Sequence, residues 1–214
     1  MSKISNDSIR EGISKILGER KKRKFVETID LQVMLRDYDP NKDKRFNSTC
    51  ELNHACRSNM KICLVGTINH IDQAKAIGME YKSLDDLKKF NRDAKEIKKW
   101  ARRFDLLLVS ESIAKNVTRS IGRYITSIGK IPVQISDTEE VKEKAAEMMN
   151  TIRFRVKKYP WLGQGVGIDT LQEEEIRANI TKSLNFLASL LPKGWHNLKS
   201  VHIKTTMGKP FRLL

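Results

Sequence analysis

The chain has 214 residues, of which 39% are hydrophobic and 31% are charged, so it has enough apolar material for one large packed domain or two small ones. Lysine and arginine number 41 against 26 aspartates and glutamates, and the net charge of +15 favours a polyanionic partner, either nucleic acid or an anionic membrane surface. No apolar stretch approaches the roughly 18 to 20 residues of a membrane span, and the N-terminus lacks the apolar core of a signal peptide, so we expect a protein that stays in the cytoplasm, without a membrane partner.

The cysteines do not suggest a disulfide framework. Cys50, Cys56 and Cys63 are an odd number without a repeated C-x-x-C spacing, which suits a reducing compartment. Together with His54 they have the residue types of a metal site, but their spacings match no zinc module and Cys63 lies in an apolar run. We expect structural cysteines, with no metal and no other cofactor.

The chain begins with an amphipathic pattern. Apolar residues recur at helical spacing over residues 9–17, and Ser8 with Glu11 has the S-x-x-E form of a capping box, so a helix is predicted here. Five consecutive cations follow, from Arg20 to Lys24. Such a run repels itself unless it is solvated or set against phosphate.

The next segments alternate apolar and polar residues. Residues 29–35 have a two-residue period, which predicts a half-buried strand. Residues 38–41 have turn chemistry, and residues 46–52 resume the alternation. These segments predict a long hairpin.

The middle of the chain has a different pattern. Residues 62–65 and 106–109 are short continuous apolar runs, typical of strands buried on both faces, and residues 131–135 are a weaker third. Helix-like stretches lie between and after these runs, at residues 71–77, 83–103, 113–125 and 139–149. The β-α-β-α-β-α order predicts a small parallel α/β domain.

After Thr151 the two-residue period returns. Residues 152–157 predict a strand with one apolar and one basic face, and residues 161–167 are a candidate partner strand. The cations of the basic face are expected to converge with residues 20–24 on one surface; they are Arg153, Arg155 and Lys157.

A long helix and a last strand follow. Thr170 and Glu173 form a second capping-box pattern, residues 176–191 have one apolar helical face, and residues 201–204 alternate again. Antiparallel segments with one amphipathic helix each therefore flank an α/β block, the pattern of one domain inserted into another. We predict the α/β class, with an α+β outer domain from residues 1–59 and 151–214 and an inserted α/β domain from residues 60–150.

Enzymatic signatures are missing from this sequence. The turn after the first middle strand, Val65–His70, has neither G-x-G-x-x-G nor the P-loop pattern. Four scattered histidines and the lack of a G-x-S-x-G elbow provide no nucleophile with an oriented base. We predict that the chain is not an enzyme and has no small-molecule substrate; the rival, a Rossmann-type enzyme, would need a nucleotide at the Gly66 turn.

The C-terminal stretch Thr205–Gly208 has two readings. Small hydroxyl donors, a glycine that permits close backbone approach and an unbranched apolar side chain suit the shallow minor groove of A-form RNA. A polar strand end followed by a turn explains the same residues.

Three separated stretches, Lys24–Leu31, Tyr38–Phe46 and Ser200–Pro210, resemble the universal large-subunit ribosomal protein one family, and are nearer to its eukaryotic cytosolic form, large-subunit protein ten-a. The similarity runs over nearly the whole chain. It implies an outer domain built by both chain ends and a Rossmann-like, three-layer insertion. It also implies a structural role on cytosolic ribosomes, with the rRNA of the mobile stalk, exit-site tRNA and other large-subunit components as partners. Assistance in the movement and release of deacylated tRNA is implied too, as is repression of translation through a similar mRNA element.

The resemblance also implies an RNA-binding surface. Its hydroxyl groups would hydrogen-bond 2′-hydroxyls or phosphates, its apolar side chains would pack on sugars, and its cations would neutralise phosphate. The predicted RNA-binding residues are Arg20, Lys21, Lys22, Arg23, Lys24, Phe25, Glu27, Thr28, Ser200, Lys204, Thr205, Thr206, Met207 and Gly208.

The chain departs from the family at two places. Residues 120–130 lack the usual proline and one glycine, and Ile168 stands where relatives often have a basic residue or histidine. The alternative function is that of a free regulatory RNA-binding protein outside the ribosome.

Overall fold

A computed structural model of the chain describes residues 4–21, 23–40, 42–43, 45–57, 60–91 and 93–214. The α-helices are α1 (Asn6–Gly18), α2 (Ile68–Ile77), α3 (Leu84–Lys88), α4 (Ala94–Ala101), α5 (Glu111–Val117), α6 (Arg123–Ile128), α7 (Val141–Asn150) and α8 (Glu173–Leu190). The strands are β1 (Thr28–Leu35), β2 (Asn47–Glu51), β3 (Ile62–Val65), β4 (Glu80–Lys82), β5 (Leu106–Ser110), β6 (Val133–Ile135), β7 (Thr151–Arg155), β8 (Trp161–Ile168), β9 (Leu198–Thr205) and β10 (Phe211–Arg212). A π-helical turn at Thr118–Gly122 and a 3-10 helix at Gly194–Asn197 complete these elements.

The chain divides into two compact units. One consists of Met1–Ser58 together with Met148–Leu214, and is called the terminal unit below. The other, the central unit, is Asn59–Glu147. Mixed helices and strands in parallel and antiparallel sheets confirm the predicted α/β class.

The terminal unit is built on a four-stranded sheet in the order β10-β9-β1-β8, in which all the neighbours are antiparallel. Alternation along β1 buries Ile29, Leu31, Val33 and Leu35 on one face. Buried residues of α1 and α8, among them Ile13 and Ile180, join these side chains in one apolar core. The opposite face of β1, which carries Thr28, Asp30, Gln32 and Met34, is exposed or half-buried, so the sheet keeps one face accessible.

The predicted hairpin of residues 29–35 and 46–52 is wrong. Strand β1 pairs with β8 and β9, whereas β2 pairs with β7 in a separate two-stranded sheet. Residues 161–167 do form a strand, but β8 is paired with β1 and not with β7. Alternation specifies which side chains are buried and leaves the partner strand open, because any neighbour with a complementary apolar face satisfies it.

Both predicted capping boxes are misplaced by two or three residues. The N-cap of α1 is Ser5, whose hydroxyl accepts a hydrogen bond from Ser8 N at 3.1 Å. The N-cap of α8 is Gln172, which forms a capping box with Glu175. Short polar residues are frequent near these termini, and only the backbone path decides which of them caps the helix.

The central unit has a parallel sheet in the order β4-β3-β5-β6. All four residues of β3 are buried, as the continuous apolar run predicted. The predicted helix over residues 83–103 is interrupted, since α3 and α4 are separated around Asn91, whose φ is 44°. The sequence pattern did not predict strand β4, because its residues are polar and lie at the sheet edge.

Among the described residues, no helix combines the length and the apolar character that crossing a bilayer requires. Cys50, Cys56 and Cys63 are free thiols and are buried. Burial raises the pKa of Cys63 to about 12, so this thiol remains protonated at physiological pH. Within the described part of the chain, no group of three His, Cys, Asp or Glu side chains could hold a metal ion.

Candidate nucleic-acid interface

The start of β1 and the end of β9 are joined at one end of the terminal unit's sheet. Thr206 N donates to the Thr28 carbonyl at 2.9 Å, and Thr28 N donates to Thr206 Oγ1 at 3.1 Å. The two hydroxyl oxygens lie 2.9 Å apart. Residues separated by 178 positions in the chain are thereby held at one exposed sheet end.

A tight turn follows Thr205. Gly208 N donates to the Thr205 carbonyl at 3.1 Å, which closes the turn, and Met207 at its tip is 60% exposed. A Cβ on Gly208 would lie 2.3 Å from Thr205 Oγ1, closer than real side chains approach. The close approach of the turn to Thr205 therefore requires glycine at position 208.

Two of the predicted cations form ion pairs that tie the basic run to the sheet. Arg20 Nη1 lies 2.6 Å from Asp169 Oδ2, just after β8. Arg23 Nε lies 2.6 Å from Glu27 Oε1, although the contact lacks the alignment of a hydrogen bond.

Lys21 and Lys24 are exposed, and Lys22 lies outside the described residues. The ion pairs position the run, which leaves Lys21 and Lys24 accessible to an anion.

A groove of about 850 Å³ lies beside the turn. Its lining includes the C-terminal part of α1, Thr205 and the segment from Met207 to Phe211. Five cations contribute to it against two carboxylates, Glu19 and Glu27; the cations are Lys15, Arg20, Lys21, Arg23 and Lys209. Lys15, Arg20 and Arg23 are paired with carboxylates, so among the described residues Lys21 and Lys209 provide the unpaired positive charge of the groove. The exposed Met207 forms part of its wall.

Phe25 is 52% exposed and precedes β1, as expected for a side chain that meets a partner. Ser200 and Lys204 belong to β9, where they lie opposite Met34 and Asp30 of β1. Thr206 lies six positions after Ser200, which is about 20 Å along a strand. The predicted residues thus extend along the accessible sheet face and do not form one cluster.

Two predicted contact residues are buried and need correction. Glu27 is 3% exposed and Thr205 is 0% exposed, because both side chains turn toward the apolar face of the sheet. Glu27 holds Arg23, and Thr205 fills the space under the turn. Their buried side chains position this surface in the structure.

Asp30 lies on the accessible face, opposite Lys204. Burial raises the pKa of its carboxyl group, while the charge of Lys204 and a hydrogen bond from the Thr28 hydroxyl lower it. The carboxylate thus forms part of a polar row beside Thr28.

The expected convergence of the two basic segments is wrong. Arg20 is paired with Asp169, beyond the end of β8, whereas Arg155 and Lys157 precede the start of β8. The eight residues of β8 extend about 23 Å, so the two basic segments lie toward opposite ends of the sheet. Alternation places side chains on faces but gives no distance between segments.

The turn after β3 in the central unit is closed by hydrogen bonds to the buried Ser110. Ser110 Oγ accepts a hydrogen bond from Thr67 N at 3.3 Å and lies 2.6 Å from His70 Nδ1. His70 and Ser110 are both buried, and a Cβ on Gly66 would meet them at 3.0–3.1 Å. A phosphate cradle needs free backbone N–H groups, and here the Thr67 N–H is engaged.

Comparison with known proteins identifies the family of the chain. Residues 17–209 match the sequence profile of the ribosomal protein L1p/L10e family. The chain is 43% identical to large ribosomal subunit protein uL1A of Schizosaccharomyces pombe, 44% identical to large ribosomal subunit protein uL1 of Caenorhabditis elegans, and 40% identical to the protein of that name from Oryza sativa subsp. japonica, in each case over 100% of both chains. The chain belongs to the ribosomal protein L1p/L10e family.

Proposed function

We propose that the chain is a structural protein of the large ribosomal subunit and that its terminal unit binds the rRNA of the mobile stalk beside the tRNA exit site. Membership of a family of ribosomal proteins supports this assignment and confirms the prediction that the chain is not an enzyme. The net charge of +15 supports a polyanionic partner.

The observation that carries the proposal is the exposed end of the sheet at Thr28 and Thr206, with Met207 beside it. The two hydroxyls are 2.9 Å apart and can exchange their mutual hydrogen bond for bonds to 2′-hydroxyls of the RNA. Met207 would pack on a ribose, and the absent side chain of Gly208 would let the backbone approach the RNA. These features suit the wide, shallow minor groove of an A-form helix, which presents sugar edges.

Cations around this sheet end would supply the electrostatic part of the affinity. Lys21, Lys24 and Lys209 are exposed close to the turn or to the start of β1. Their contacts would be to phosphates and would not depend on the base sequence. Contacts to phosphate fix register and affinity, whereas the hydroxyl and methionine contacts provide selectivity for shape. We therefore assign specific recognition to Thr28, Thr206 and Met207.

The finer parts of the proposal concern the assembled ribosome. The central unit would meet exit-site tRNA and assist the movement and release of the deacylated tRNA. A free regulatory protein that recognises a stalk-like mRNA element would use the same surface of the terminal unit. Co-sedimentation with large subunits in a cell extract distinguishes a ribosomal protein from a free regulator, because a free regulator would remain in the light fractions.

Filter binding to a stalk rRNA fragment tests the recognition surface. Met207→Asp should weaken binding to the folded fragment far more than binding to an unrelated duplex, because it places a carboxylate against the RNA backbone. Lys21→Ala should weaken both and reduce the slope of log K against log salt by roughly 0.9. Ile68→Asp, at an exposed apolar position of α2, is the matched control and should leave binding unchanged. Equal affinity of Met207→Asp and wild type for the folded fragment would refute the assignment.

A further inference from the structure

Exposed aromatic rings stand at the end of the sheet remote from Thr206. Trp161, the first residue of β8, is 60% exposed, and Tyr159 is 58% exposed. Met34 of β1 is the register partner of Trp161 and is also exposed. Large exposed apolar groups that lie together on a protein surface commonly mark a binding site.

These rings are held in place without being covered. The Pro160 carbonyl accepts a hydrogen bond from Leu35 N at 2.8 Å, which fixes the peptide between Tyr159 and Trp161 against β1. Gly163 lies two residues further along the same face of β8, and a Cβ there would still be 4.0 Å from the Trp161 ring. Because this backbone is held in place and Gly163 has no side chain, the Trp161 ring can stack with a planar group.

Cations surround the rings. Arg155, Lys157 and Lys158 are exposed, and within the described part of the chain no ion pair joins them to a carboxylate. Lys158 Nζ lies 5.8 Å from the centroid of the Tyr159 ring, so a cation and an aromatic face are presented together. A groove of about 420 Å³ connects these residues, and its lining among the described residues contains no Asp or Glu.

We propose that these residues form a second RNA site, the Trp161 cluster, consisting of Arg155, Lys157, Lys158, Tyr159 and Trp161. Its ligand is single-stranded RNA, whose unpaired bases stack on the Trp161 and Tyr159 rings while its phosphates contact the three cations. Bases in a duplex are already stacked and cannot reach an aromatic ring, so the chemistry differs from that of the Thr28–Thr206 surface.

A protein partner fits the Trp161 cluster less well. Burial of three unpaired cations against an ordinary protein surface would cost desolvation without compensation. A polyanion offers that compensation at each phosphate, and each base offers a π-face to the rings. The proposal is independent of stalk binding, because none of its residues belongs to the Thr28–Thr206 surface.

Fluorescence anisotropy of a labelled ten-nucleotide oligouridylate, titrated with the full chain, tests the proposal. Trp161→Ala should weaken binding roughly 5- to 150-fold, whereas Trp161→Phe should restore most of the affinity because it keeps a stacking ring. Lys157→Ala with Lys158→Ala should weaken binding and reduce the salt slope by about 1.4, at roughly 0.7 for each phosphate contact to a single strand.

Tyr81→Ala is the matched control, since Tyr81 is also exposed and has a lysine, Lys75, 5.6 Å from its ring centroid. It should bind like wild type. Wild-type affinity of Trp161→Ala, or equal losses in Trp161→Ala and Tyr81→Ala, would overturn the proposal and leave only diffuse electrostatic binding. Absence of oligouridylate binding by the wild-type chain would overturn it as well and would favour a protein partner. Met207→Asp should bind the oligomer normally, so a failure of stalk recognition is distinguishable from a failure of this site.

Discussion

The turn at Thr205–Gly208 provides the sharpest test of how the proposed recognition surface is built. In Gly208→Ala the new Cβ would lie 2.3 Å from Thr205 Oγ1, whereas real Cβ contacts essentially never fall below 3.0 Å, so the atoms must separate by at least 0.7 Å. Thr205 is fully buried, and its side chain cannot rotate into solvent. Rotation away from a staggered rotamer costs about 0.5 to 1.5 kcal/mol, and overpacking of this kind costs about 1 to 3 kcal/mol. We expect a loss of about 1 to 3 kcal/mol in the free energy of unfolding.

Urea unfolding of the wild type, both single variants and the double variant measures this contact as a double-mutant cycle. Thr205→Ala removes the atom that clashes and also removes a buried hydroxyl that has no hydrogen-bond partner among the described residues. Gly208→Ala should therefore cost less than about 0.5 kcal/mol in the Thr205→Ala background, with a coupling of about 1 kcal/mol or more.

Gly18→Ala is the control, because no atom lies within 4 Å of a Cβ at that position. It should be neutral or slightly stabilising, since alanine is the better helix former. Additive losses for Gly208→Ala and Thr205→Ala would refute the reasoning, because they would show that the two side chains do not interact. A loss of stalk rRNA affinity in Gly208→Ala that Thr205→Ala restores would tie the turn's shape to recognition.

Three further outcomes are expected. Arg20→Met should lower the free energy of unfolding in urea by about 1 to 3 kcal/mol, because the carboxylate of Asp169, which is only 16% exposed, loses its cation. Asp169→Asn in the same chain should recover part of this loss. Burial raises the pKa of Asp30, so the wild type loses stability as the pH rises through that pKa. In urea unfolding, Asp30→Asn should therefore be more stable than wild type at pH 7, and this advantage should shrink toward pH 3. Equal effects of the substitution at both pH values would contradict this. The thiol groups, including that of Cys63 with its pKa of about 12, should not react with Ellman's reagent at pH 8 in the native protein, and all three should react in denaturant.

Local patterns in the sequence predicted most of the elements. The two-residue period of β1 and the continuous apolar runs of β3 and β5 identified these strands and the faces that they bury. Such patterns succeed because burial acts on each side chain through its own position along the strand or helix. They failed where one backbone conformation interrupts a helix, as at Asn91 between α3 and α4.

The candidate site was predicted in part. Thr28, Thr206 and Met207 are brought together at an exposed sheet end. Glu27 and Thr205 were also predicted to contact RNA, but their side chains point to the buried face, because each lies one strand position from an accessible residue. The Trp161 cluster has a sequence signal, the aromatic residues within the run from Lys157 to Trp161, but only the structure reveals that the rings are uncovered.

By itself the sequence determined the net charge of +15, the class of the fold and the residue types available for contact, because these follow from composition and short-range periodicity. The tertiary structure alone decided that β1 lies between β8 and β9, that Thr28 and Thr206 share hydrogen bonds, and that the two basic segments are separated along β8. Strand pairing depends on contacts between residues far apart in the chain, and a pattern of period two is compatible with many partners. The proposed recognition surface at Thr28, Thr206 and Met207 therefore depends on pairing between residues far apart in the chain, whose residue types the sequence already showed.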